Sequence, residues 1–250
     1  MVTVERAADV LLLFTRSPSS ALGVTEIATA LSFSKAAVHR ILTSLRNKGL
    51  VEMDPITHRY ALGPGILNLG LTYLDRLDVR KMAIPELAQL SEATQETATL
   101  SVRTGWTRVY LDQVTPAREV IMSVQIGIPH PLHSGSSSKA FLAFLPESDI
   151  ERYLARPLEA VTEATITDPN DLRKELAEIR RQGFASSSGE RQAAAASAAA
   201  PLLDYRGVPV AVMSVCGPAE RFEEERELCT GLLLDVTRRL SLRLGFRPGT

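Results

Sequence analysis

Cysteine is scarce in this 250-residue sequence, where Cys216 and Cys229 stand apart without a surrounding cysteine or histidine cluster. This scarcity excludes a disulfide scaffold and provides no zinc-binding pattern. No apolar run reaches the ~18 residues that a membrane-spanning helix needs, so no membrane partner is expected. A signal peptide is not predicted either, because the apolar run at 10–14 is short and follows Glu5 and Asp9. We therefore expect a cytoplasmic protein.

Acidic residues are absent from one stretch of the sequence, and this absence is the first indication of a function. The whole chain is nearly neutral, with 28 Lys/Arg and 29 Asp/Glu, and its 45% hydrophobic content is typical of a soluble globular protein. Residues 34–51, however, hold four basic side chains and no acidic one. Local clustering of Lys and Arg is typical of nucleic-acid-binding surfaces.

The first third of the chain follows the element order of a winged helix-turn-helix. A first helix is predicted over 3–16 from apolar residues at helical spacing, namely Val4, Ala7, Ala8, Leu11, Leu12 and Phe14. A short second helix is expected to be capped by Thr25 or its neighbour, and Ser34 is a good N-cap for the third. The third helix is expected to bury Val38, Ile41, Leu42 and Leu45. Gly49 is predicted to end that helix before a hairpin over 50–62.

In a winged helix-turn-helix, the second helix of the motif enters the major groove of double-stranded DNA by its N-terminal half. Small alanines there allow close approach, arginine suits base edges or phosphates, and basic residues at the far end suit the DNA backbone. The predicted DNA-binding residues are Thr25, Ser34, Lys35, Ala36, Ala37, His39, Arg40, Arg46, Lys48 and Arg59. The alternative is that these charges are simply solvated opposite a core stripe.

The remaining sequence predicts a linker and a separate α+β domain. Residues 63–77 are expected to form an apolar helix, which is either a dimer contact or a helix that packs on its own domain. Helices are predicted over 79–95, in the second half of 134–145, and over 146–156, 168–183 and 223–245. Strands are predicted over 96–105, 107–115 and 119–127 and on both sides of Gly207, and 127–133 is expected to be a loop. Adjacent strands joined by short turns predict an antiparallel sheet.

Over some 240 residues the sequence resembles the IclR family of transcriptional regulators. The stretches that carry the resemblance include ERAADVLLLF, TEIATALSFSKAAVHRILTSLRNKGLVE, PLHSGSSSKAFLAFL and GERQAAAASAAAPLLDYRGVPVAVMSVCGPAERF. The resemblance implies a winged helix-turn-helix domain at 1–62, a linker helix at 63–78 and a GAF-like effector-binding domain at 79–250. It also implies a homodimer or homotetramer that binds a near-palindromic operator, with no cofactor and no enzymatic activity. The alanine-rich run 193–200 favours a helix by propensity, whereas the resemblance implies a loop that runs into a strand.

An effector site is predicted around the serine-rich run at 133–141. Its serines lead into a helix, whose free N–H groups and positive dipole end suit a carboxylate, so a small organic acid is the expected effector. In the family the second glycine of this loop falls at Ser138, and further pocket positions fall on the late strands. The predicted effector-binding residues are Met122, Leu132, Ser136, Ser137, Ser138, Ser187, Ser197, Met213, Ser214 and Cys216.

Three other functions were weighed against this one. Ser136 and Lys139 satisfy the S-x-x-K pattern of serine acylases, but the S-D-N and K-T-G motifs that accompany it there do not occur in the chain. His130 and His133 stand three apart around a proline, which is not the spacing of a helical metal-ligand pair. The third possibility is a sensor module whose N-terminal domain binds protein instead of DNA.

Overall fold

The computed structural model describes residues 2–75 and 78–247, and the chain divides into two compact units with the boundary after residue 77. The fold class is α+β, as the sequence predicted. Within the described residues, no helix is both long enough and apolar enough to cross a membrane.

The N-terminal unit is a winged helix-turn-helix. Three helices are followed by a two-stranded antiparallel sheet and a fourth helix: α1 (Val2–Arg16), α2 (Val24–Leu31), α3 (Lys35–Asn47), β1 (Val51–Met53), β2 (Tyr60–Leu62) and α4 (Pro64–Asp75). Its core takes side chains from the first three helices and both strands, and it includes the predicted α3 stripe of Val38, Ile41, Leu42 and Leu45. Phe14 of α1 is buried as predicted, but the rest of its inner face differs from the prediction, because Val10 points inward whereas Val4 and Leu12 are exposed.

Backbone conformation sets the ends of these helices. Ser34 caps α3 as predicted, its hydroxyl accepting the Ala37 N–H at 3.2 Å. Gly49 has φ +68°, the left-handed conformation expected after α3. The prediction that Thr25 or its neighbour caps α2 was wrong: Gly23 is the N-cap, and its N–H donates to the Glu26 carboxylate at 2.7 Å.

The C-terminal unit contains a six-stranded antiparallel sheet in the order β5-β4-β3-β8-β7-β6. Its strands are β3 (Thr97–Thr104), β4 (Thr107–Val114), β5 (Pro129–Pro131), β6 (Ala185–Ser188), β7 (Ala195–Leu203) and β8 (Pro209–Pro218). Its helices are α5 (Asp78–Thr94), α6 (Ser136–Ala143), α7 (Glu147–Leu154), α8 (Pro169–Gln182), α9 (Ala219–Glu224) and α10 (Arg226–Arg243). α5 and α10 pack against each other and on the sheet, and α6, which contacts α8, also packs on the sheet.

Three of the predictions for this unit were wrong. Residues 119–127 form no strand apart from a single bridge at Ile126, and the Gln113 amide bonds instead to both the N–H and the C=O of Val124. Residues 129–131, expected to be a loop, form edge strand β5, where two prolines leave few N–H groups to pair. Helix α6 was expected only in the second half of 134–145, but it begins at Ser136. The serines therefore occupy its first turn and not a preceding loop.

The alanine-rich run is a strand despite its helical propensity. β7 pairs with β6 on one side and with β8 on the other, and most of its alanines are buried. Pairing with a neighbouring strand on both edges of β7 outweighs the helix propensity of its alanines, which is well under ~1 kcal/mol per residue. The strand thereby brings Ser197 opposite Ser187 and Cys216, next to the start of α6.

Candidate nucleic-acid interface and ligand pocket

The exposed face of α3 carries most of the predicted DNA-binding residues. Ser34, Lys35, Ala36, His39 and Arg40 are exposed at its N-terminal half, and Thr25 is exposed on α2. Arg46 and Lys48 are exposed at the far end of α3. Ala37 is a correction, since its side chain is buried against the core and leaves Ala36 as the small residue of the outer face.

The cations of this face have no carboxylate partners in the described part of the unit. Lys35, Arg40 and Lys48 form no ion pair there, and Arg46 contacts only the Met53 sulfur at 3.9 Å. Exposed cations without carboxylate partners on one face of a helix suit contact with a phosphate backbone.

Arg59 is engaged within the unit. Its guanidinium donates to the Ala21 carbonyl at 2.9 Å and to the Glu26 carboxylate at 2.7 Å. The Gly23 N–H and the Arg59 guanidinium both lower the pKa of Glu26 below its ordinary value. The interaction ties the second strand of the wing to the start of α2, so of the predicted DNA-binding cations Arg59 is the least free to contact a phosphate.

A second feature of the unit joins the end of α3 to the start of α4. The Gly63 N–H donates to the Leu50 carbonyl and the Gly65 N–H to the Gly49 carbonyl, both at 2.9 Å. A Cβ atom at Gly63 or Gly65 would lie 2.5 or 2.7 Å from the Gly49 oxygen. The close backbone approach requires glycine at both positions, and it links the α4 helix directly to the turn that ends α3.

In the C-terminal unit a small polar cavity of about 20 Å³ lies between α6 and the strands β4, β6, β7 and β8. Six predicted effector-binding residues line it: Ser136, Ser137, Ser187, Ser197, Ser214 and Cys216. As predicted from strand alternation, Ser214 and Cys216 face the same side of β8. Burial raises the pKa of the Cys216 thiol to about 12, so that the cavity is lined by a neutral thiol.

The serine hydroxyls form a connected network. The Ser136 N–H donates to Ser187 Oγ at 3.0 Å, and the Ser197 hydroxyl lies 2.7 Å from Ser136 Oγ and 3.1 Å from Ser187 Oγ. On β8, Ser214 Oγ is 2.7 Å from Thr99 Oγ1. These hydroxyls can each reorient to donate or accept, so the wall can adapt to a polar ligand.

Four predicted effector-binding residues lie outside the cavity lining. Ser138 is fully buried in the first turn of α6 and points away from the cavity, Leu132 belongs to the core, and Met213 points to the opposite face of β8 from Ser214. Met122 is buried, and its carbonyl accepts the Thr97 hydroxyl. The sequence pattern did not separate the two faces of β8 or of α6. The prediction therefore included residues that point away from the cavity together with neighbours that line it.

Sequence reasoning missed the two charged residues of the cavity wall, Arg108 and Arg191, as well as its neutral members Tyr110, Gln192, Gly135 and Ala195. Arg108 is 1% exposed, and its guanidinium donates to Ser138 Oγ at 2.8 Å, Tyr110 Oη at 3.0 Å and Ser101 Oγ at 3.4 Å. All three partners are neutral, and burial lowers the pKa of Arg108. One signal could have found it: Arg108 shares the inward parity of Tyr110 on β4, and a charged residue at such a position is rarely there for packing.

Lys139 does not serve as the partner of a nucleophilic serine. Its ammonium group binds Glu175 at 2.8 Å and Glu190 at 2.5 Å, while the Ser136 hydroxyl bonds to Ser197. The S-x-x-K pattern therefore reflects a buried ion-pair cluster. His133 likewise has protein partners on both ring nitrogens, the Tyr153 hydroxyl and the Glu159 carbonyl.

The fold and the two sites define a class, that of regulators with a winged helix-turn-helix domain and a separate α+β sensing domain. The sequence matches the model of the IclR helix-turn-helix domain over residues 3–55 and that of the bacterial transcriptional regulator IclR C-terminal domain over residues 71–242. The chain belongs to the IclR family, whose members are ligand-responsive DNA-binding transcriptional regulators and not enzymes.

Individual relatives agree over nearly the full length. The chain is 30% identical to the HTH-type transcriptional regulator KipR of Bacillus subtilis over 246 residues, 98% of this chain and 97% of that protein. The crystal structure of an IclR regulator from Alicyclobacillus acidocaldarius has a TM-score of 0.89 at 30% identity, covering 98% of this chain and 99% of that one. An IclR homologue from Microbacterium hydrocarbonoxydans, crystallised with 4-hydroxybenzoate, shares the fold at a TM-score of 0.85 and 24% identity, covering 97% and 98%.

Proposed function

We propose that this regulator binds a near-palindromic operator as a homodimer or homotetramer and releases or engages it when a small organic acid enters the cavity beside α6. The observation that carries the effector class is Arg108, a buried guanidinium bonded only to neutral hydroxyls at a cavity lined by no Asp or Glu. A buried cation without a counter-ion is costly, and an anionic ligand offsets that cost. The division of labour is a DNA-binding domain at 1–62, a linker helix at 63–78 and an effector-binding domain at 79–250.

DNA contact is assigned to the N-terminal half of α3, with Ser34, Lys35, His39 and Arg40 facing the major groove. Arg46 and Lys48 are assigned to the phosphate backbone. The support is the solvent exposure of these side chains and the lack of ion-pair partners for the basic ones in the described part of the unit.

The proposed oligomer rests on helix α4. Leu67, Leu69 and Leu71 are 62%, 61% and 47% exposed, an apolar surface that a soluble helix ordinarily covers. Pairing of two copies through this helix would set two α3 helices at a defined separation. Half-sites about one or more helical turns apart, related by a two-fold axis, would follow from that symmetry.

Signal transmission is assigned to the same helix. Because the start of α4 is bonded to the turn that ends α3, a change in the position of α4 would be passed to the recognition helix. An effector can shift this balance only by binding one arrangement more tightly than the other. The carboxylic acid bound to the Microbacterium homologue, 4-hydroxybenzoate, is consistent with an acidic effector here.

The test combines two measurements on the full chain. Fluorescence anisotropy with genomic fragments upstream of the gene, repeated over a salt series, should give a log–log slope of several units, about −0.9 per phosphate neutralised. Isothermal titration with a panel of organic acids, amines and neutral sugars should show binding of acids. A flat salt dependence together with a protein partner in place of DNA would instead favour an interaction module, and binding of only neutral or cationic compounds would overturn the acid effector.

A further inference from the structure

The cavity beside α6 has an excess of positive charge that one carboxylate does not balance. Both Arg108 and Arg191 contribute to its lining, which contains no Asp or Glu. Neither arginine has a carboxylate partner anywhere in the described ranges 2–75 and 78–247. The other wall groups are hydroxyls, an amide and a protonated thiol, so that the lining has a charge of +2 before a ligand binds.

Arg108 is prepared to bind a planar anion. Of its five N–H donors, one on Nε and one on each terminal nitrogen are occupied by Ser138, Tyr110 and Ser101. One N–H remains on each of the two terminal nitrogens, and these are the donors left for an anionic ligand, to which guanidinium makes charge-assisted hydrogen bonds. Hydrogen bonds to these three hydroxyls hold the Arg108 guanidinium in place, and the whole side chain is buried.

Arg191 brings the second charge from a loop 83 positions further along the sequence. It lies in the loop 189–194 between β6 and β7, is only half-buried, and shares the Tyr110 ring with Arg108. The guanidinium carbon of Arg108 is 4.1 Å from the centre of that ring and the one of Arg191 is 5.8 Å from it. Mutual repulsion contributes to the lowered pKa of Arg108, so a ligand that neutralises only one of the two leaves the other uncompensated.

Resting on the proposed effector role of this cavity, we propose that its ligand is a compact aliphatic dianion, with one acidic group on Arg108 and the second on Arg191. Either a short dicarboxylate or an acid that also carries a phosphate or phosphonate has this chemistry. Apolar wall is limited to Ala195 and the Tyr110 ring, which disfavours a bulky hydrophobic ligand. The enclosed space of about 20 Å³ is close to one water molecule, so the partly exposed side chains of Arg191 and Gln192 must swing outward as the ligand enters, while Glu190 keeps the loop attached to α6.

The experiment compares anions of similar size and different charge on the full-length protein. Succinate, phosphonoacetate and sulfate are the dianionic probes, and succinamate and butyrate the monoanionic ones, measured by isothermal titration and by thermal shift at constant ionic strength. The variants are Arg108→Met and Arg191→Gln, with the exposed Arg103→Gln as a charge-matched control in the same unit. Wild type and Arg103→Gln should bind at least one dianion about tenfold or more tightly than either monoanion. Each pocket variant should lose about tenfold to a hundredfold of the dianion affinity, and Arg191→Gln should affect the monoanions less than the dianions.

The possible results distinguish the proposal of a dianionic ligand from the broader proposal of an acidic effector. If succinamate or butyrate binds as tightly as the dianions, and Arg191→Gln changes nothing, the dianion class is overturned while an acidic effector stands. If anions of both kinds bind no better than neutral solutes, or if the variants and wild type gain the same stability from every anion, both proposals are wrong.

Discussion

The ammonium group of Lys139 lies 2.5 Å from a carboxylate oxygen of Glu190, and both side chains are buried. The second oxygen of Glu190 accepts the Gly135 N–H at 3.0 Å, and its backbone carbonyl accepts hydroxyls from Ser134 and Thr165. The pair thus fixes the loop that carries Arg191 to the start of α6, next to the cavity. Removing one member of a buried ion pair leaves the other charge without compensation.

Lys139→Met should therefore destabilise the protein by about 3–5 kcal/mol, as is typical when a buried pair is broken on one side. The matched control is Lys174→Met, since Lys174 forms an exposed pair with Asp171 at 2.9 Å and such pairs contribute little. Urea denaturation of both variants measures the difference. Equal midpoints for the two variants would show that the buried pair contributes no more than the surface one.

The glycines that follow β2 offer a second comparison. A Cβ atom at Gly65 would lie 2.7 Å from the Gly49 carbonyl oxygen, whereas one at Gly70 on α4 would meet nothing within 4 Å. Gly65→Ala should cost about 1–3 kcal/mol through overpacking, and Gly70→Ala should gain about 0.5–1 kcal/mol of helix stability. Thermal denaturation of the two variants checks both signs, and a neutral Gly65→Ala would show that the contact between the two turns relaxes easily.

Arg40→Ala should lower operator affinity by about tenfold to a hundredfold, because an arginine aimed at base edges or phosphates contributes on this scale. Binding of acids to the C-terminal unit should stay at the wild-type level, since Arg40 belongs to the N-terminal unit. Lys81→Ala, the loss of an exposed cation on α5, is the control. Anisotropy and isothermal titration give the two readouts, and wild-type operator binding by Arg40→Ala would contradict its assigned role.

The partly buried His130 leads to a prediction about how the stability of the fold depends on pH. Burial, and then the fields of Arg108 and Arg191, lower the pKa of this histidine from 6.5 to about 4, and its Nε2 atom is buried without a hydrogen-bond partner. As the pH falls from 6.5 to about 4, the unfolded chain gains a proton at this position and the folded protein does not. Its contribution to stability is thus complete above pH 6.5 and is lost over this interval.

His130→Gln, which cannot titrate, should flatten that part of the stability profile relative to wild type. Chemical denaturation at several pH values through the interval measures the difference between the two proteins, so that titrating carboxylates common to both cancel. Parallel profiles for the two proteins would mean that His130 is protonated equally in the folded and unfolded states.

The sequence by itself was sufficient for features that depend on local physics. The buried stripe of α3 follows from the helical spacing of its apolar residues. Ser34 caps α3 because its hydroxyl reaches the Ala37 N–H, and Gly49 follows the helix because glycine readily adopts the left-handed φ found there. Strand alternation placed Ser214 and Cys216 on one face of β8. Each of these depends on neighbours a few residues apart, and chain geometry dictates where those neighbours lie.

Tertiary structure alone decided the rest, because long-range pairing determines which side chains share a space. The alanine run became strand β7 only through pairing with β6 and β8, and in 119–127 the Gln113 side chain bonds to the backbone N–H and C=O of Val124 where a neighbouring strand was expected. Arg108 and Arg191 are 83 positions apart in the sequence, and only the fold brings them to one cavity wall. The sequence therefore determined an exposed basic helix and a serine-rich helix start, whereas the charge of the cavity depends on contacts that no local pattern encodes.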